Sequence, residues 1–91
     1  MARRYNVRIT LTSQLQKCPN GHRIGDQWLI ERKTPSGLCL GAFGSLLPLV
    51  TALRFGGNFP WEKEGEATIC CPDPKVANTF HIERVGDATE E

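Results

Sequence analysis

The sequence predicts an α+β domain of ββαββ order, a four-stranded antiparallel sheet with one helix packed on one face. Three observations predict it. Tyr5, Val7, Ile9 and Leu11 alternate with Asn6, Arg8, Thr10 and Thr12, the period-2 pattern of a half-buried strand. Cys39, Phe43, Leu46, Val50 and Leu53 recur at spacings of four, three, four and three, the apolar stripe of a helix. The segments on either side of that stripe are joined by turn-rich connections of hairpin length, which favour antiparallel pairing. A small curled barrel capped by the helix is the alternative architecture.

Each element follows in order. After the first strand, Lys17-Cys18-Pro19-Asn20-Gly21 reads as a turn, with proline presetting φ and Asn-Gly supplying a left-handed position. Gly25-Asp26 is a second turn. Gln27 to Lys33 is expected as a strand, with Trp28 and Ile30 on one face and Gln27, Leu29 and Glu31 on the other, ended by Thr34-Pro35-Ser36-Gly37. The helix is expected from Leu38 to Phe55. Pro48 removes a backbone donor in its middle and predicts a kink, or a split into two short helices. Gly56-Gly57 is the stop signal, and Arg54 suits the negative end of the helix dipole. Glu66 to Cys71 is the third strand, with Ala67, Ile69 and Cys71 on one face and Thr68 and Cys70 on the other. Pro72-Asp73-Pro74-Lys75 connects it to a fourth strand, Ala77 to Val85. Phe80 and Ile82 face the core there, and Thr79, His81 and Glu83 face outward. Residues 1–4 and 87–91 are expected to fray.

The 91 residues correspond to one domain, which at this size buries only roughly 60–65% of the surface its unfolded chain exposes. Dimerisation or a bound metal would widen that thin margin, and the second face of the sheet is expected to be wet or covered by a second copy. Eleven basic and ten acidic residues leave a net charge of +1, which gives no electrostatic reason to expect nucleic acid or an anionic membrane as a partner. The apolar stretch from Leu38 to Phe55 is interrupted by Gly41, Gly44, Ser45, Pro48, Thr51 and Arg54, so it reads as a buried helix and not a membrane span. Ala2-Arg3-Arg4-Tyr5 is not followed by the apolar run of a signal peptide, which points to the cytoplasm. Disulfides are rare in that reducing compartment, so the four cysteines need another account.

Metal binding is one account. Cys18 and His22 flank a Pro-Asn-Gly turn, Cys39 opens the helix, and Cys71 closes the third strand before two prolines. Thiolates and an imidazole from separate elements are the donor set of structural zinc, and four protein ligands leave no open position for substrate. Buried, reduced cysteines that only pack are the second account, consistent with an accessory or dimerisation domain. The third is a small thiol-dependent enzyme or redox protein that uses Cys39 or Cys18, with His22 or His81 as base and Asp26 or Asp73 orienting it. No C-x-x-C is present to support thioredoxin-type exchange. Cys70 faces away and is the spare.

The remaining candidates are weaker ligand contacts. Asp26 is read as a turn residue before an acid catalyst. Asp73 is read as an Asx-type turn, and His81 as a half-exposed strand residue. Arg54 is placed to cap helix carbonyls or to bind a carboxylate or phosphate. Phe55, Phe59 and Trp61 line a small-molecule pocket or a subunit interface, or else plug the open end of the sheet.

Several short runs together resemble one known family. They are Lys17-Cys18-Pro19, Gly21-His22, Gly25-Asp26, Gly37-Leu38-Cys39, Ala52-Leu53-Arg54-Phe55-Gly56-Gly57, Pro60-Trp61 and Cys71-Pro72-Asp73-Pro74, with Phe80, Ile82 and Arg84 closing the pattern. It is similar to a family of small uncharacterised bacterial and archaeal proteins, and the likeness runs over nearly the whole chain. The resemblance implies that Cys18, Cys39 and Cys71, with His22 beside them, belong together as a set, and that Cys70 lies outside it. It implies no activity.

Overall fold

The computed structural model describes residues 3–90. Its elements are β1 (Arg3–Ser13), β2 (Gln27–Ile30), α1 (Leu40–Arg54), β3 (Glu66–Cys70) and β4 (Thr79–Glu90). The four strands form one antiparallel sheet in the order β2-β1-β4-β3. The sheet is open, with β2 and β3 as its edges, so the barrel alternative does not hold. Among the described residues no helix is long and apolar enough to cross a membrane.

The core lies between the sheet and α1. Val7, Ile9 and Leu11 of β1, Ile30 of β2, Ala67 of β3, and Phe80 and Ile82 of β4 all project from one face and are buried. The helix meets them with Ala42, Leu46, Val50 and Leu53. Burying each large side chain here contributes about 1.5–3 kcal/mol. The other face of the sheet carries Arg8, Thr10, His81, Glu83, Glu66 and Thr68, aligned by the registers Arg8↔Glu83, Thr10↔His81, Glu66↔Glu83 and Thr68↔His81.

Several boundaries differ from the sequence expectation. β2 stops at Ile30, because Glu31-Arg32-Lys33 offers nothing apolar to place on the inner face. The helix starts one residue after Cys39, which is its N-cap with extended backbone (φ −67°, ψ 151°). It runs through Pro48 as a single element and does not split. A proline costs a helix one backbone bond, and the apolar residues on both sides of Pro48 remain packed on the sheet, which keeps the element whole. β4 extends to Glu90 and pairs with β1 through Arg4↔Thr89 and Arg3↔Glu90, so residues 3, 4, 89 and 90, which were expected to fray, are joined to each other past an irregularity in the register. Residues 1, 2 and 91 lie outside the described residues.

The helix C-terminus is closed in two ways. Gly56 N–H donates to the Leu53 carbonyl (3.2 Å) and Gly57 N–H to the Ala52 carbonyl (2.8 Å), a Schellman arrangement in which Gly56 takes φ +88°. A Cβ on Gly57 would come within 2.9 Å of the Ala52 oxygen. Arg84 then reaches across from β4, donating to the carbonyls of Leu53 (3.2 Å) and Gly57 and to Asn58 Oδ1 (2.6 Å). Arg84 thus caps the helix C-terminus from β4. The Arg54 guanidinium lies 5.2 Å from the Phe55 ring.

Candidate functional site

Three connectors meet at the N-terminal end of α1. The β1–β2 connector brings Cys18, the loop before α1 brings Cys39, and the β3–β4 connector brings Cys71. All three cysteines line one pocket of about 120 Å³, together with Asp73 and Asn78 and an apolar wall that includes Ala42 and Val76. All four cysteines are free thiols.

Each sulfur is held differently. The turn at Cys18 is closed by Gly21 N–H on the Cys18 carbonyl (2.9 Å), and Cys18 is buried. Burial alone would push its thiol up. The backbone N–H of His22, those of Asn20 and Gly21, and the side-chain amide of Asn78 outweigh it and hold the thiol below its ordinary value of 9.0. Cys39 caps α1, its sulfur accepting from Ala42 N–H at 3.4 Å at the positive end of the helix dipole. The Cys71 thiol instead donates to the Asp73 carbonyl, at 3.8 Å.

His22 is brought to the same end of the fold but is turned to another task. It is buried, its ring stands edge-on to Trp28 (centroids 5.0 Å apart), and its Nε2 accepts from the Cys39 backbone N–H at 3.1 Å. The ring therefore ties the start of α1 to the Cys18 turn. Among the described residues, the one group of three metal-ligating atoms within 4.8 Å of one another lies elsewhere, at Glu66, His81 and Glu83. The sulfurs of the thiol pocket are spread more widely than that. The outer-face group is already matched within the sheet, His81 to Glu66 at 2.7 Å and Glu83 to Arg8 Nε at 3.1 Å.

Of the weaker candidates, only Asp73 borders the pocket. Its Oδ1 accepts from Lys75 N–H (2.9 Å) and Val76 N–H (3.4 Å), an Asx turn that shapes the β3–β4 connector. Asp26 closes a turn, with Oδ2 accepting from Arg23 N–H at 2.9 Å. Trp61 is three-quarters exposed and touches Phe59, which packs on the core. Arg54 sits at the opposite end of α1 from the pocket. Cys70 is exposed on the outer face, its sulfur 3.5 Å from Thr79 Oγ1.

One buried polar residue of the site, Asn78, escaped the sequence reading. Asn78 is 2% exposed, and its Oδ1 accepts from Gln14 Nε2 at 2.8 Å. It follows Ala77, which takes φ +46°, a left-handed conformation costly for a residue with a Cβ. The signal was parity. Residues 78, 80, 82 and 84 fall on one side of β4 and its approach, so a polar residue at either end of that inner row must find partners. No family model matches the chain, and no curated protein or solved structure matches it, so the site is read from its own residues.

Proposed function

We propose that this protein is a small binding module whose thiol pocket takes a soft metal ion, zinc first, through Cys18, Cys39 and Cys71. One observation carries the reading. Three cysteines from three separate connectors line the same small pocket, and a packing or nucleophilic role for any one of them gives no reason for the other two. Zinc is bound by thiolates, and Cys18 is favoured in that form by the N–H groups around it. In this reading His22 is a brace and not the fourth ligand, since its Nε2 already accepts from Cys39. Three sulfurs leave one tetrahedral position for water or a small ligand. Binding draws the sulfurs inward from their present spread.

The test is zinc stoichiometry in protein purified without chelator. One zinc per chain is expected in the wild type and none in Cys39→Ser. Serine is a preferred N-cap, so that variant loses a ligand while keeping the start of α1, and its unfolding midpoint stays near that of the metal-free wild type. Folded wild-type protein that takes up no zinc sinks the proposal. A second reading, a reactive thiol at Cys18, is favoured by the depressed thiol alone. It expects Cys18 to be alkylated well below the pH at which an ordinary thiol reacts, with no dependence on Cys39 or Cys71.

A further inference from the structure

The outer face of the sheet holds two carboxylates where the register sets them against each other. Glu66 of β3 and Glu83 of β4 are directly opposed residues, and like charges at opposed positions weaken a strand pair. Other groups gather around them. Arg8, opposed to Glu83 from the β1 side, gives its Nε to Glu83 Oε1 at 3.1 Å. His81, two residues before Glu83 on the same face of β4, brings Nε2 to 2.7 Å from Glu66 Oε1. One guanidinium against two carboxylates and a neutral ring leaves a net negative charge at this spot.

One imidazole nitrogen and one oxygen from each carboxylate lie within 4.8 Å of one another, and all three residues are half-buried. Two donors about 2.1 Å from one ion stand about 3.0 Å apart at right angles and about 3.4 Å apart at the tetrahedral angle. The 2.7 Å between His81 and Glu66 is nearer the first. Paired strands, not loops, carry the donors. Thr10 and Thr68 are the opposed residues on either side of His81, and Arg8 holds Glu83 as outer hydrogen-bond partners hold metal-bound carboxylates. An ion takes over the contact between Nε2 and Glu66, and the neutral ring then keeps its proton on Nδ1.

We infer that Glu66, His81 and Glu83 form a divalent-metal site on the outer face of the sheet, separate from the thiol pocket and harder in its donors. Two carboxylates and one imidazole suit an ion of six-fold geometry such as Mn(II), whereas thiolates select softer ions. Three protein donors leave three of six positions to water or to the oxygens of a ligand. The inference stands without the thiol-pocket reading.

The probe is Mn(II), added to the purified full chain and followed by the paramagnetic resonance signal of the free ion. Saturable uptake of one ion per chain is expected, half-complete on the order of 10⁻⁴ M. Binding that weak is lost during purification, so zinc retained by the purified chain still reports the thiol pocket. Glu66→Gln and Glu83→Gln keep side-chain shape and are each expected to bind Mn(II) ~10-fold or more weakly. Glu64→Gln, at an exposed neighbour, and Cys39→Ser, in the thiol pocket, are expected to match the wild type. The chain has two histidines, His22 and His81, so ring-proton spectra locate the ion even if a carboxamide variant does not fold. His81 signals are expected to broaden at lower Mn(II) than those of His22. Uptake that does not saturate in the wild type overturns the site, as does wild-type affinity in both carboxamide variants. Broadening of His22 first, or loss of Mn(II) in Cys39→Ser, puts the ion in the thiol pocket and also overturns it. A chain that retains zinc but takes no Mn(II) sinks this site and leaves the thiol pocket standing.

Discussion

Replacing His22 with alanine separates a brace from a ligand. Two interactions are lost. The Cys39 N–H, which opens α1, no longer has the acceptor it meets at 3.1 Å, and an orphaned, partly buried donor costs about 1–2 kcal/mol. The edge-on contact with Trp28 at 5.0 Å is also lost, worth about 0.5–1.5 kcal/mol. Together they predict a loss of about 1.5–3.5 kcal/mol. For a chain of this size that is a fall of about 6–28 °C in Tm. The assay is urea unfolding of the metal-free protein followed by tryptophan fluorescence, with zinc content measured on the same variant. The expected outcome is a markedly weakened fold that still takes up one zinc. A change under about 0.5 kcal/mol, the range of an ordinary surface substitution, refutes the bracing role. Loss of zinc at unchanged stability refutes it more strongly, since it makes His22 a ligand.

Arg84→Met keeps the length of the side chain but removes its bonds to Leu53, Gly57 and Asn58, and is expected to lower stability by about 2–4 kcal/mol, as measured by the urea midpoint. Ala77→Gly relieves a left-handed backbone at φ +46° and is expected to add about 0.5–1 kcal/mol after the entropy cost of glycine; a loss would show that the conformation carries no strain. The metal-free protein should gain stability with pH relative to Cys18→Ser. Well below the folded Cys18 value both states hold the proton and the difference is absent. It grows as pH rises through that lowered value, and it is complete above the unfolded thiol's 9.0. A flat difference between the two chains across that range removes the claim.

The elements were legible where one face of a segment is apolar and the other polar. β1 and the Phe80-Ile82 pair show the alternation directly, and α1 shows its stripe. Strand and helix ends were less legible because local chemistry sets them. The charged run at Glu31-Arg32-Lys33 ended β2 early, and the extended backbone of Cys39 set the helix start at Leu40, two positions later than its hydrophobicity suggests. The pairing of the two chain ends left no local trace, since it depends on residues more than eighty positions apart. At the site, the gathering of Cys18, Cys39 and Cys71 could be anticipated from their positions at element ends. The task of His22 could not, because an imidazole that accepts from a backbone N–H and one that binds metal look alike in a sequence. Asn78 and Arg84 were readable in principle. Both fall on the inward parity of β4, where a polar side chain needs a built partner.

The long antiparallel ribbon of β1 and β4 has a mechanical consequence. Every other part of the molecule hangs from it. β2 and β3 flank it, α1 lies across it, and Arg84 fastens it to the far end of that helix. The pocket draws on none of the ribbon's paired residues but on three connectors and the first turn of α1. Whatever fills it ties those three connectors together at once, so slow amide exchange should spread outward from the ribbon into them when the pocket is filled, and retreat to the ribbon when it is emptied.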